Sequence, residues 1–347
     1  MENVDANPST PSNECTTPSS ASWLSGMVRS RSDSFKRRNN SSGDYAGSNW
    51  VQINSKGRFH GVMFKYGPAP VQVAFRTGNF KQQVIFVGGL SEGFLATEYL
   101  EPLANALEKE HWSLVQLLLS SSYSGYGASS LKQDAMELDQ LLRYFIYKEE
   151  SDGVVLLGHS TGCQDIVHYM RRNAMCSMAV RGAILQAPVS DREYKATFPE
   201  TASMIDLASK MISDGRASEW MPREANPDSP ITAYSSAICR YHSLFGYNGD
   251  DDMFSSDFSE SQLKQKLGHM SKIPTLVMYS MADEFVPHYI GKDALVDRLC
   301  TAMGGAEKIE IERGNHTLSN RVEEAVQAIT AFVKSSDGRK IWEDPWS

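Results

Sequence analysis

The apolar run Val154-Val155-Leu156-Leu157 leads straight into Gly158-His159-Ser160-Thr161-Gly162, and a helix-forming stretch follows from Cys163 to Arg172. This is a nucleophile elbow: a sharp strand-to-helix turn that holds the backbone of its central serine strained and its hydroxyl exposed. Glycines flank the serine because a Cβ at either place would clash across the turn. The turn requires a buried strand before it and a helix after it, and the residue types on both sides meet that requirement. Ser160 is the expected nucleophile.

A serine hydroxyl is a weak nucleophile at neutral pH, so an imidazole must take its proton and later return it to the leaving group. A carboxylate must then fix the tautomer of that imidazole. With a strand-turn-helix nucleophile these partners follow in the order acid, then base. Pro274-Thr275-Leu276-Val277-Met278-Tyr279 reads as a short buried strand, and the loop leaving its carboxyl end contains Asp283, the expected acid. Glu284 is an adjacent competitor, and a helix N-cap is the plain alternative for Asp283. Lys308-Ile309-Glu310-Ile311-Glu312 alternates like an edge strand, and Gly314-Asn315-His316-Thr317 after it supplies His316, the expected base. Of the 8 histidines, His288 is the main rival because it follows Asp283 closely. His159 lies in the elbow with its side chain expected to point away from Ser160, in a packing or supporting role.

An oxyanion needs backbone N–H donors. One is expected from Thr161, at the N-terminus of the helix that follows the nucleophile. The second is expected from Leu90 or Gly89, in the glycine-rich loop Gly88-Gly89-Leu90-Ser91-Glu92-Gly93 that follows the apolar run Gln83–Val87. This loop contains neither of the phosphate-binding glycine motifs.

Along the chain, Trp50–Asn54, Gly61–Lys65 and Val71–Arg76 alternate like antiparallel strands. Strands expected near 84–87, 114–119, 154–157, 182–186, 275–279 and 308–312 then alternate with helical stretches. The fold class is therefore α/β, with a mostly parallel sheet and helices on both faces. Ligands of such sheets bind beyond the carboxyl ends of the strands, where Ser160, Asp283, His316 and the Gly88 loop all fall. Tyr123 and Tyr126 leave another such end and are candidate pocket residues. About 85 residues separate Pro188 from Pro274, far more than a crossover helix needs. A helical cap insertion over residues 189–272 is expected, with Thr201–Ser213 and Ser259–Leu267 lying over the triad. Trp220 and Phe245, with Met221, Tyr234, Tyr241 and Tyr247, are candidates for an apolar ceiling. The acidic run Asp250-Asp251-Asp252 reads as a solvated loop.

The runs GHSTGCQD (158–165), VGGLSEG (87–93), MPREANPDSPITAY (221–234) and GDDDMFSSD (249–257) resemble a plant and fungal family long labelled a domain of unknown function. That family belongs to the α/β-hydrolase superfamily and is related to fungal siderophore esterases. The resemblance covers residues 49–335. It implies an α/β-hydrolase fold and an intact Ser160, Asp283, His316 triad, and it leaves the substrate open, because fold and kinship do not fix one.

Residues 1–48 are rich in Ser, Asn, Thr and Pro and lack apolar periodicity, so they are expected to be a disordered tail. Residues 336–347 are expected to form a C-terminal tail. The basic run Arg29, Arg31, Lys36, Arg37, Arg38 reads as part of a solvated tail. Neither a secretory signal nor a membrane span is visible, so a cytoplasmic protein is expected. The 5 cysteines are scattered, and their spacing suggests neither a disulfide framework nor a zinc site. A formal charge of −8 argues against a nucleic-acid partner. The chemistry calls for no cofactor and no metal, and nothing indicates an oligomeric state. The expected function is hydrolysis of a small-molecule carboxylic ester, or of an amide or thioester, through an acyl-enzyme. The alternative is a ligand-binding receptor or scaffold on the same fold.

Overall fold

A computed structural model of the chain describes residues 59–222 and 237–337. The expected strand at Trp50–Asn54, the basic serine-rich tail, most of the MPREANPDSPITAY run including Tyr234, and residues 338–347 lie outside the described residues. The chain falls into two units, Met1–Arg58 and Phe59–Ser347, and every described element belongs to the second.

Eight strands form one sheet: β1 (Val62–Lys65), β2 (Val73–Arg76), β3 (Gln82–Val87), β4 (Trp112–Leu117), β5 (Gly153–His159), β6 (Val180–Gln186), β7 (Thr275–Ser280) and β8 (Glu307–Ile311). Their spatial order is β1-β2-β4-β3-β5-β6-β7-β8. The pairs β1–β2 and β2–β4 are antiparallel, and every pair from β4 to β8 is parallel. Successive strand residues point to opposite faces. On β5, Val154 and Leu156 therefore enter the core of one face while Val155 and Leu157 enter that of the other, and on β3 Ile85 and Val87 oppose Val84 and Phe86 in the same way. A strand covered on both faces must be apolar throughout, which is why these segments show no alternation in sequence. β8 ends the sheet and is partly exposed, with Lys308 bonded to Asp297 and Glu310 along its rim. Such charges discourage further strand pairing at an edge.

One face is covered by α2 (Leu131–Lys148), α3 (Gly162–Arg172) and α8 (Lys292–Ala302), and the other by α1 (Leu100–Lys109) and α9 (Val322–Asp337). Local chemistry sets where these helices start and stop. The Ser130 hydroxyl accepts the Gln133 amide hydrogen at the head of α2, and Asn173 ends α3 in the left-handed conformation that a short polar side chain tolerates. Among the described residues no helix is long and apolar enough to cross a membrane. Cys163, Cys176 and Cys300 are buried free thiols.

The long segment between β6 and β7 carries α4 (Asp191–Lys195), α5 (Thr201–Ser213), α6 (Ile238–Phe245) and α7 (Glu260–Leu267). α5 and α6 share a small core of their own, made by Ala208, Met211, Met221, Ile238 and Tyr241. α7 departs from expectation. Its Leu263 and Leu267 join the core of the main body beside Leu295 and Leu299 of α8, so it buttresses the sheet layer instead of lying over Ser160 and His316. Its apolar residues fit either site equally well in sequence. The acidic run also departs from expectation. Asp251 and Asp252 are buried, the first paired with Arg240 at 2.5 Å and the second with Arg192 at 2.7 Å. An ion pair removed from water is held by its mutual attraction and its remaining hydrogen bonds. Here Ser243 adds a bond to Asp251, and Arg240 also donates to the Tyr126 carbonyl.

Asp134 is buried on α2 with the Ser129 hydroxyl at 2.9 Å. Burial pushes its carboxyl up to about 7. A folded-state value raised above the unfolded one gives stability that is complete below the ordinary carboxylate range and is lost as pH rises through 7. His168 and His269, pushed down by burial, act in the opposite sense, but only below the ordinary histidine value of about 6.5. Between about pH 6.5 and 8 the melting temperature should therefore fall as pH rises. In Asp134→Asn that slope should shrink. An identical slope in the variant would show that Asp134 is not responsible.

Candidate active site

β5 delivers its chain to Ser160 with φ of 53°, a left-handed conformation that costs a non-glycine residue about 1–3 kcal/mol. Two backbone bonds hold it there: the Ser160 amide donates to the Gln186 carbonyl at 3.0 Å, and the Ser160 carbonyl accepts from the Cys163 amide at 2.9 Å. The glycines are sterically required. A Cβ on Gly158 would stand 2.7 Å from the Gly162 carbonyl oxygen, and one on Gly162 would stand 2.1 Å from that of Val87.

Asp283 lies just past the end of β7 and His316 on the turn after β8; they are 3 % and 6 % exposed. His316 Nδ1 meets Asp283 Oδ2 at 2.8 Å, and the other oxygen of Asp283 accepts the Phe285 amide hydrogen at 2.9 Å. Glu284 holds the loop instead of the ring, accepting from the His316 backbone amide at 2.9 Å. The rival His288 is exposed. The imidazole of His316 sits between the rings of Phe285 and His159, with centroids 4.5 and 4.9 Å away. Lys292 anchors the acid loop by donating to the carbonyls of Met281 and Asp283. Ser160 and His316 open into one cavity of about 560 Å³. A larger groove of about 910 Å³ beside α2 holds none of these residues.

The expected oxyanion donors separate. The Gly89 amide is taken: it donates to Glu92 Oε2 at 2.6 Å, so it is not free to receive an oxyanion. The role of Gly89 is steric, since a Cβ there would lie 2.8 Å from that of Ser160. Among the described residues the amides of Thr161 and Leu90 have no protein acceptor, and Leu90 lines the cavity beside Ser160. Of the expected pocket residues, Tyr126 and Phe245 line the cavity together with Val189, Tyr194, Phe198 and Phe285. Tyr123 does not: it is 50 % exposed, with its hydroxyl accepting from the Phe94 amide. Nor does Trp220, which is 51 % exposed next to the backbone bridge it forms with Ala237.

Sequence reasoning missed Glu92 and Gln186. His159 is fully buried, with Nδ1 2.6 Å from Gln186 Oε1 and Nε2 3.2 Å from Glu92 Oε1, the latter not aligned for a hydrogen bond. The amide of Gln186 donates to the His316 carbonyl at 2.9 Å, and its Oε1 also accepts from the Tyr99 hydroxyl. Because that oxygen can only accept, His159 Nδ1 carries a proton. Glu92, His159 and Gln186 thus tie the Gly89 loop to the turn that carries His316. The available signal was a polar residue closing each of two wholly buried strands, His159 on β5 and Gln186 on β6. Gln186→Leu would leave His159 and the His316 carbonyl without partners in a dry site. That should cost about 1–3 kcal/mol, read as a lower urea midpoint; an unchanged midpoint would mean that the chain of bonds is not formed in solution.

The chain belongs to the family described as "Protein of unknown function (DUF1749)", which matches residues 52–335. It is similar to the fusarinine C esterase sidJ of Aspergillus fumigatus, with 31 % identity over 294 residues covering 70 % of this chain and 83 % of the relative. An esterase of Emericella nidulans is 31 % identical over 281 residues, covering 65 % of this chain and 75 % of that protein. Among solved structures, the siderophore hydrolase EstB from Aspergillus fumigatus superposes with a TM-score of 0.69 at 28 % identity, covering 82 % of this chain and 100 % of the other. The fold is that of the α/β-hydrolases, with the 8-stranded, mostly parallel sheet described above.

Proposed function

We propose that the protein is a serine hydrolase that cleaves a carboxylic ester through an acyl-enzyme, with Ser160, His316 and Asp283 as the catalytic residues. The observation that carries this reading is the 2.8 Å bond between His316 and Asp283 at the cavity into which the strained Ser160 opens. Ser160 Oγ attacks the ester carbonyl while His316 Nε2 takes its proton. Asp283 holds the imidazole through Nδ1 and stabilises the imidazolium that forms. The negative charge on the former carbonyl oxygen falls to the amides of Thr161 and Leu90. Each such donor is worth roughly 3–4 kcal/mol when it is aimed at the developing charge. Collapse of the tetrahedral species expels the alkoxide, which leaves as the alcohol with the proton from His316. A water molecule, deprotonated by His316, then attacks the acyl-Ser160 ester and releases the carboxylic acid.

The segment from α4 to α6 is the cap in this reading, with Tyr194, Phe198 and Phe245 forming the apolar wall of the acyl site. Ester hydrolysis is also the activity that names the fungal relatives. Fusarinine C is the substrate in the name of one of them; for this chain a bulky ester of that type is a candidate to be tested against simple acyl esters of graded length.

Ser160→Ala should lower turnover of a responsive ester by roughly 10⁶, because members of a triad act as a unit. A fluorophosphonate probe should label the unaltered protein and not the variant. Labelling that persists in a folded Ser160→Ala protein would refute the assignment. Absent labelling of the unaltered protein, with tight binding of a metabolite, would favour a receptor on the same fold.

A further inference from the structure

Lys195 closes α4 and is only 5 % exposed. It is the only Lys or Arg on the described wall of the cavity that also holds Ser160 and His316. Other cations packed against the β6–β7 segment are matched: Arg240 with Asp251, and Arg192 with Asp252 and Asp257. Lys195 has no carboxylate within ion-pair distance among the described residues. Its ammonium lies 4.8 Å from the centroid of Phe198 and 6.0 Å from that of Phe245, and both rings line the same cavity.

An aromatic face attracts a cation but does not neutralise it, and a largely buried, uncompensated ammonium is costly. A charge kept in such a place favours a ligand of opposite sign strongly, because little water competes for it. The acids on the same wall are otherwise engaged. Glu92 accepts from the Gly89 amide. Asp191, whose carboxyl burial pushes up to about 7, accepts from the Gln164 side chain at 2.9 Å.

We infer that Lys195 is an anion-reading subsite, and that the protein prefers esters bearing a carboxylate several bonds from the scissile carbonyl. This rests on the hydrolase reading above. The aromatic rings would pack along the chain between the two ends, with the ester at Ser160 and the carboxylate at Lys195.

A matched pair of substrates tests it: the 4-nitrophenyl half-ester of adipic acid against 4-nitrophenyl hexanoate. The ratio of their kcat/KM values should favour the half-ester by about tenfold or more. In Lys195→Met that preference should vanish, mainly through KM, and Lys195→Arg should restore it. A ratio of one or less in the unaltered protein, or the same ratio in Lys195→Met, would overturn the subsite. Binding without turnover separates this from failure of the hydrolase reading. In titration calorimetry on Ser160→Ala, monomethyl adipate should bind at least about tenfold more tightly than the neutral dimethyl adipate. Equal binding of the two would remove Lys195 from specificity whatever the rates show.

Discussion

The rest of the site depends on the crossing of two backbones at Gly162. A methyl group there would lie 2.1 Å from the Val87 carbonyl oxygen and 2.7 Å from that of Gly88. The end of β3 and the first turn of α3 can lie this close only because Gly162 has no side chain. That approach places the Gly88-Gly89-Leu90 loop beside Ser160, and Leu90 and Ser160 line one cavity. The left-handed backbone at Ser160 follows from the same crossing: the chain must reverse from strand to helix within a residue or so, beneath a neighbour that leaves no space.

A second layer of order comes from polar contacts other than the one between the His316 ring and Asp283. Gly89, Glu92, His159, Gln186 and His316 form a largely buried chain of contacts from the loop after β3, past the ends of β5 and β6, to the turn after β8. Buried polar groups hold one another strongly when satisfied and are costly when not. The turn that carries His316 is therefore positioned from two directions, by Asp283 through the ring and by Gln186 and Glu284 through the backbone.

The sheet was legible in sequence because burial on two faces leaves a simple mark, a run without polar residues such as Val154–Leu157. The placement of Ser160, Asp283 and His316 beyond strand ends was legible because the first two follow unbroken buried runs and the third an alternating edge strand. The glycine-rich loop after β3 was legible in place but not in detail. That Gly89 gives its amide to Glu92 depends on a side-chain conformation no local pattern encodes. The same limit explains Trp220 and Tyr123, large aromatic residues that sequence assigns to a pocket and the structure leaves at the surface. Asp251 and Asp252 look like a solvated acidic run until Arg240 and Arg192 are brought to them by packing of α4, α6 and the loop after it. The two faces of α7 could not be told apart in sequence, because its apolar residues serve the body as well as they would a cap.

The bond from Arg240 to the Tyr126 carbonyl joins α6 to a wall of the active-site cavity, and the partner of Arg240, Asp251, is buried with it. Lifting α6 as a rigid lid would break that linkage away from water, at a cost of about 3–5 kcal/mol. A form so opened would make up less than about one per cent of molecules. Traffic of substrate and product must then run through a path that leaves Arg240 in place, and a ligand's rate of arrival would report side-chain breathing around Phe198 and Phe245 more than movement of a lid.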